Sequence, residues 1–330
     1  MDLDGDGHLD ILSGSWPGEL FLFRGMPNRS FAAPEMIKDK DGEIINIGGG
    51  IRDRSAGEGI LIAGSARWET ADGKRFANYR GKRYESTAER PIGITGTASV
   101  AHAVDWDGDG DYDLIVGDIQ GNVHLIANEG TSKSYAFARG RQLQVDGQPL
   151  RVASRAGPCA ADWDGDGDPD LLVGADDGSV LLFCNVGSAK SPELASAVQL
   201  VPPGEALYGP QAPKEPRRGI RSKICVADWN GDGRPDLLVG DLAYQKPDRP
   251  EPTAAEKAEH ERMRRILEPV TNRYHDVTQS LYGPSRVRDK EERDKLSEER
   301  RQLIGQMEAL ESKLPSEYET HGWVWLFLRQ

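Results

Sequence analysis

Four short clusters of aspartate and glycine bring together the residues best suited to chemistry in this chain. They read Asp2-Leu-Asp-Gly-Asp-Gly-His-Leu-Asp10, Asp105-Trp-Asp-Gly-Asp-Gly-Asp-Tyr-Asp113, Asp162-Trp-Asp-Gly-Asp-Gly-Asp-Pro-Asp170 and Asp228-Trp-Asn-Gly-Asp-Gly-Arg-Pro-Asp236. Calcium takes six to eight oxygen ligands in a flexible geometry, which suits a short loop that turns several carboxylates inward. Positions 1, 3 and 5 point to one side, and glycine at position 6 permits the sharp turn. Position 7 offers its backbone carbonyl, and position 9 adds a last carboxylate from the start of the next strand. The predicted ligands are therefore Asp2, Asp4, Asp6, His8 and Asp10 in the first loop, and Asp105, Asp107, Asp109, Asp111 and Asp113 in the second. In the third they are Asp162, Asp164, Asp166, Asp168 and Asp170, and in the fourth Asp228, Asn230, Asp232, Arg234 and Asp236. His8, Asp111, Asp168 and Arg234 serve through their carbonyls. Up to four Ca²⁺ ions are expected.

The competing reading is a set of solvated acidic turns. Carboxylates gathered within ~5 Å repel by ~3 kcal/mol per pair at an effective dielectric of 20, and a cation is the simplest way to remove that cost. The fourth loop, with Asn230 and Arg234, is expected to bind more weakly. An EF-hand would need glutamate at position 12, where this chain has Ser13, Val116, Val173 and Val239.

No catalytic constellation is legible beside these loops. The six histidines are scattered without metal-ligand or nucleophile–base spacing, and His102 reads as a structural strand residue. Cys159, Cys184 and Cys225 give no disulfide framework, and Cys159 and Cys225 read as small buried hydrophobes. Trp106, Trp163 and Trp229 hold position 2 of their loops, where packing between adjacent repeats is the default reading and stacking on a sugar the alternative. The expectation is a protein that is not an enzyme.

The elements that must position the loops repeat with them. Loop starts are separated by 103, 57 and 66 residues, the range of repeat architectures. Each loop is followed by an apolar run, such as Leu114-Ile-Val-Gly117 and Leu171-Leu-Val-Gly174, then a turn and a second run such as Ser179-Val-Leu-Leu-Phe183. Short apolar runs bounded by glycine suit strands covered on both faces. The unit is strand, loop, strand, turn, strand and a variable outer strand. Four antiparallel strands make a blade, so the fold class expected is an all-β propeller over 1–241 with an inserted α-helical hairpin.

Two insertions interrupt the pattern. Residues 49–98 read as a β-hairpin pairing Gly59-Ile-Leu-Ile-Ala63 with Arg75-Phe-Ala-Asn-Tyr79 across Ala71-Asp-Gly73, or as a divergent blade without a loop. Residues 243–321 are helical in composition, with a capping box at Thr253 and Glu256. Met263, Leu267, Val270, Tyr274, Val277 and Leu281 form one seam, and Leu296, Leu303, Met307, Leu310 and Leu314 a second. Gly283-Pro284 ends the first helix, and Pro269 is expected to kink or break it. The two seams pack on one another as an antiparallel hairpin, with a self-associating or partner-binding coiled coil as the functional reading. Residues 322–330 return as the closing strand of the fourth repeat.

The totals agree. A net charge of −13 argues against nucleic acid as a partner, and no stretch approaches a transmembrane helix. With 38 glycines and 37% hydrophobic residues, the core is expected to consist of thin repeated layers.

The loops with their flanking strands resemble FG-GAP-like (VCBS-type) repeats, the calcium-loop blades also found in integrin α-subunit propellers. The resemblance covers residues 1–25, about 99–200, about 222–241 and the strand at 322–330. It implies a propeller with Ca²⁺ in the loops, and leaves the ligand open, because such repeats serve adhesion, lectin and enzyme-scaffold roles alike. The function expected is an extracytoplasmic interaction module, secreted, periplasmic or at the cell surface, with a protein or glycan ligand. A carbohydrate-binding lectin or the scaffold of a polysaccharide-acting enzyme is the alternative. Because Met1 abuts the first loop and no signal peptide precedes it, the N-terminus is expected to be truncated.

Overall fold

The computed structural model describes residues 1–48, 50–53, 60–63, 66–79, 82–87, 90–283, 285–287 and 289–329. The chain divides into two compact units. One comprises Met1–Ala206, Pro216–Ala243 and His321–Gln330, and the other Leu207–Glu215 and Tyr244–Thr320. Among the described residues no helix is long and apolar enough to cross a membrane.

In the first unit the second, third and fourth aspartate loops each join two antiparallel strands, and the first leads into the strand that follows it. The second repeat pairs Val100–Val104, Asp113–Gly117, Val123–Ile126 and Arg141–Gln142 in that order, and the third pairs Gly157–Ala161, Asp170–Gly174, Val180–Phe183 and Val198–Val201. The first repeat has three strands, Ile11–Gly14, Leu20–Phe23 and Glu35–Met36. In the fourth, Asp236–Gln245 pairs with Ile220–Ala227 on one side and Val324–Phe327 on the other, so the return of the chain after the helices supplies a strand. Its register sets Leu238 opposite Leu326 and Val239 opposite Trp325.

The sheets stack face to face, and strand alternation decides which residue meets which neighbour. Leu114 and Val116 face the first repeat and share a buried cluster with Leu20 and Leu22. Ile115 points the other way, into a cluster with Leu171 and Val173 of the third repeat. Leu172 in turn joins Leu237 and Val239 of the fourth. This two-sided burial explains why the strands read as continuous apolar runs rather than alternating ones. Glycine closes each of these strands for a steric reason. A Cβ on Gly117 would lie 2.3 Å from the carbonyl oxygen of Ala156 in the next repeat, and one on Gly174 would lie 2.4 Å from that of Ser222.

Between the first two repeats lie two three-stranded sheets rather than a single hairpin. Ile60–Ala63 pairs with Gly50–Asp53, which also pairs with Ile92–Thr95. The Asp72-Gly73 turn instead joins Ala66–Ala71 to Lys74–Tyr79, with Lys82–Ser86 completing the meander. The sequence reading found the turn but took the wrong preceding strand. The run at 60–63 is uniformly apolar, whereas Ala66–Ala71 mixes Arg67, Glu69 and Thr70 with Trp68 and is marked as the partner only by the tight two-residue connection. Gly59 lies outside the described residues.

The second unit holds α1 (Ala254–Tyr282) and α2 (Lys290–Glu311). Thr253 and Glu256 form the reciprocal capping box, and Asp289 caps α2 by accepting from the Glu292 amide at 2.9 Å. Val277, Leu281 and Leu303 are the buried centre of the seam, with Val270, Tyr274 and Leu296 packed against them. Arg273 grips Glu299 through two bonds of 2.7 and 3.0 Å, and Arg300 lies over the Tyr274 ring. Helix α1 continues through Pro269, so the proline does not end the helix. Pro284, expected to end α1 together with Gly283, lies outside the described residues. Glu261–Arg265 and Glu291–Lys295 form i,i+4 ion pairs along the exposed faces.

Candidate metal centres

Each loop is folded by its own carboxylates. The position-1 side chain accepts main-chain hydrogen bonds from positions 5 and 6: Asp105 from Asp109 at 3.1 Å and Gly110 at 3.0 Å, and Asp2 from Asp6 at 3.2 Å and Gly7 at 2.9 Å. Asp162 and Asp228 accept in the same way from Gly167 at 3.1 Å and Gly233 at 2.9 Å. The position-5 carboxylate accepts from the position-7 amide, as in Asp6 with His8 at 2.8 Å, Asp109 with Asp111 at 3.0 Å, Asp166 with Asp168 at 3.1 Å and Asp232 with Arg234 at 2.9 Å. Glycines at positions 4 and 6 are left-handed in all four loops, for example Gly108 at φ 70° and Gly110 at φ 93°. A side chain at either place would be strained. The sequence reading required this of position 6 alone.

The outcome is a convergent set of oxygens. In Asp2–Asp4–Asp6, Asp105–Asp107–Asp109 and Asp162–Asp164–Asp166, one carboxylate oxygen from each residue lies within 4.8 Å of the other two. In the fourth loop the Asn230 amide donates instead to Asp232 at 3.0 Å, which removes one carboxylate and ties up part of another. Buried oxygens without a hydrogen-bond partner mark the second and third loops: Asp107 Oδ1, Asp111 Oδ1 and Asp168 Oδ1. Burial, together with Asp109 and Asp105, pushes the Asp107 carboxyl above its usual range, and burial with Asp109 does the same to Asp111. Asp232, bonded to the Arg234 amide and the Asn230 side chain, is held low instead. These are the properties a divalent cation would relieve, so the residues fit Ca²⁺.

Position 9 has a task that spacing did not reveal. Asp10, Asp113, Asp170 and Asp236 are all buried, and both oxygens of each clamp main chain. Oδ2 accepts from the position-2 amide, namely Leu3 at 2.9 Å, Trp106 at 3.0 Å, Trp163 at 2.9 Å and Trp229 at 3.0 Å. Oδ1 accepts from the residue that follows the next strand of the sheet: Gly25 at 2.7 Å, Asn128 at 2.6 Å, Asn185 at 2.7 Å and Arg329 at 2.8 Å. Burial pushes Asp113 up to about 6, against the two amides that favour its charged form.

Asn128 and Asn185 also escaped the sequence reading. The Oδ1 of Asn128 accepts from Gly130 at 3.0 Å and Ala136 at 2.8 Å, and that of Asn185 from Gly187 at 3.1 Å and Glu193 at 2.9 Å. The same two side chains lie near the Asp111 and Asp168 carboxylates and favour their charged forms, although Asn185 Nδ2 makes no hydrogen bond. The signal was present as a second repeated motif, Asn128-Glu-Gly-Thr and Asn185-Val-Gly-Ser, 15 residues after position 9.

The residue before this position touches the loop directly. Arg24 forms an ion pair with Asp4 and a second with Glu35 at 2.7 Å, so a guanidinium already neutralises part of the first cluster. Cys184 sits with Asp164 and Asp170 beside the third. Burial, then Asp170 and Asp164, keep its thiol protonated.

Position-2 side chains enter the following repeat. Leu3 and Trp106 are each 2% exposed in the clusters shared with the second and third repeats, which leaves Trp106 no free face for a sugar. Trp163 packs against the cluster shared with the fourth, with the Arg329 guanidinium 5.1 Å over its ring. His102 is pushed low by burial and accompanies this packing through a main-chain contact at Ala160. Cys159 is buried, with its thiol raised to about 11 by that burial, whereas Cys225 is exposed. The expectation of a buried Cys225 fails: it is exposed, and among the described residues no further sheet covers it.

No curated protein matches the chain. Among solved structures, one titled for the specific recognition of non-reducing terminal N-acetylglucosamine by an Agrocybe aegerita lectin aligns at 17% identity with a TM-score of 0.30. That alignment covers 74% of this chain and 61% of the other. The FG-GAP-like repeat family matches residues 105–173 and again 162–239, each match running from one aspartate loop through the next. Residues 105–239 are thus a run of FG-GAP-like repeats within the chain.

Proposed function

We propose that this protein is a non-enzymatic interaction module whose repeats, arranged as propeller blades, are held rigid by calcium. The observation that carries the reading is the convergence of three carboxylate triplets, two of them beside buried oxygens that lack a partner. Positions 1, 3 and 5 of each loop would hold the ion, with the position-7 carbonyl and the position-9 carboxylate completing the set. When bound, calcium neutralises the clustered charge and ties the loop to the strand that follows it. Asp113 and its counterparts meanwhile keep the loop anchored to the sheet through main-chain amides. Loops of millimolar affinity suit an extracytoplasmic setting. The ligand is a protein or glycan surface, and the helical hairpin is a second interaction element. Terbium tests the sites. Tb³⁺ should give emission sensitised by the loop tryptophans and displaced by Ca²⁺, and a lack of sensitised emission would contradict the reading.

The pH dependence follows from Asp113. Its carboxyl lies at about 6 in the folded chain, above the ~3.9 of an unfolded aspartate. A raised carboxyl stabilises the metal-free fold below the unfolded value, and that contribution disappears as pH rises through 6. Calcium needs the carboxylate and competes with this proton. The rise in melting temperature produced by Ca²⁺ should therefore shrink between neutral pH and about pH 5. An equal rise at both values would show that these carboxylates do not hold the ion.

A further inference from the structure

The second, third and fourth repeats each begin near one residue with a left-handed backbone. Ala98, Arg155 and Arg221 hold it, at φ 50°, 49° and 61°. Their amides donate to carbonyls in the turn of the preceding repeat, at Trp16 (3.0 Å), Ile119 (3.0 Å) and Asp176 (2.9 Å). Stacking of the repeats thus fixes the backbone here and leaves the side chain open to choice, as Ala98 shows. Glycine or asparagine would adopt this conformation with less strain than arginine. Two successive repeats nonetheless place arginine there, and strained positions of this kind collect at functional sites.

Charges gather around these arginines, at the junction of the third and fourth repeats. Arg155 Nε lies 2.9 Å from Asp176 Oδ1, and Arg221 Nε lies 3.5 Å from the same oxygen. Lys223 Nζ donates to the Arg155 carbonyl at 2.9 Å. The neighbouring Asp177 is engaged elsewhere, by the Ser179 hydroxyl at 2.6 Å. Three cations therefore share one carboxylate, in a chain whose net charge is −13. The lysine amine is packed against Gly157, where a Cβ would come within 2.8 Å of it. Burial of that end, then repulsion by Arg155, push it down to about 8. Among the described residues, the Nη groups of Arg155 and Arg221 have no hydrogen-bond partner. Arg155 is 38% exposed along its side chain with a repeat stacked on either side of its own. This cluster sits at the start of the strand Gly157–Ala161, and the calcium loop at its end, so about 17 Å separates them.

We propose that this cluster binds an acidic glycan, which it holds by a carboxylate or sulfate group. The inference rests on the interaction-module reading and names the ligand such a module would take. Guanidinium forks match oxyanions two bonds at a time, and the Nη edges of Arg155 and Arg221 supply two of them. Lys223 adds a compact positive charge, and a bound anion would offset its repulsion with Arg155. A glycan fits this rim better than a protein does, because protein interfaces are anchored by aromatic or apolar side chains. The segments that form the rim, 151–157, 175–179 and 218–223, hold none of the exposed large apolar side chains found among the described residues.

Calorimetric titration of the whole chain in millimolar Ca²⁺ tests this, with a galacturonic acid hexasaccharide, a heparin hexasaccharide and neutral cellohexaose. At least one acidic sugar should bind, more weakly as salt is added, and the neutral sugar should not. Which acid binds identifies the group as carboxylate or sulfate. Arg155→Gln/Arg221→Gln should weaken binding by about tenfold or more. Asp176→Asn should tighten it several-fold, because it removes the competing carboxylate without changing shape, and a merely structural cluster would show no such gain. All three side chains reach solvent, so the variants should melt as the parent does. No binding of either acidic sugar, or equal binding of the neutral one, would overturn the proposal. Undiminished binding by the double arginine variant would also overturn it, by placing the glycan elsewhere, such as on calcium in the loops. So would binding of polyglutamate with both acidic sugars silent. Terbium emission from the same samples separates these failures from failure of the calcium reading, since the two sites lie at opposite ends of the strands.

Discussion

Excess chelator is expected to lower the melting temperature of this protein by about 10 °C relative to millimolar Ca²⁺. A ligand at tenfold excess over its Kd stabilises the state it binds by roughly 1.4 kcal/mol, so three carboxylate triplets together contribute about 4 kcal/mol. In a unit of this size each kcal/mol moves the midpoint by about 2–4 °C. The first loop should contribute least of the three, because Arg24 already neutralises Asp4 and calcium must compete with it. Thermal unfolding followed by circular dichroism measures the shift. An unchanged melt would leave the loops as acidic turns, with their hydrogen bonds as the whole of their stabilisation.

The second large effect separates clamping from metal binding. Asp170 is fully buried and accepts three main-chain hydrogen bonds, from Trp163 at 2.9 Å, Asp164 at 3.2 Å and Asn185 at 2.7 Å. Asp170→Ala leaves those donors unpaired in the interior, at a cost of about 1–3 kcal/mol for each one left unsatisfied. The variant should lose about 3 kcal/mol or more, a fall of roughly 6–12 °C, in chelator as well as in calcium. Asp164→Ala is the control. Its carboxylate is exposed and accepts one bond inside the loop, from Asp166 at 3.2 Å. It should cost little in chelator and show its loss only in calcium. If Asp170→Ala behaved like Asp164→Ala, the clamp would have no energetic weight.

The contrast between these two aspartates shows what the sequence could and could not disclose. Both were legible as members of a loop, because four copies of one pattern fix the positions. The strands were legible too, since those after the second and third loops are buried on both sides and so carry an unbroken apolar run. The helices could be read from the spacing of Val277, Leu281 and Leu303 and from the Thr253–Glu256 cap. Division of labour within the loop was not legible, because an aspartate that also holds main-chain amides and one that serves a cation alone are the same letter. Only their depth separates Asp170 from Asp164. Cys159 and Cys225 make the same point about neighbours. They occupy equivalent places in equivalent strands, yet Cys159 is buried beside the fourth repeat and Cys225 is exposed. Asn128 and Asn185 could have been found, by aligning the repeats beyond their acidic loops to the second motif 15 residues on.

Counting the ions is the most direct test of the central claim. Equilibrium dialysis against Ca²⁺ should give at least three ions per chain for the parent protein. The Asp107→Ala/Asp164→Ala double variant should bind two fewer, since it loses one triplet carboxylate from each of the second and third loops. A parent that binds no calcium, or a double variant that binds as many ions as the parent, would contradict the account.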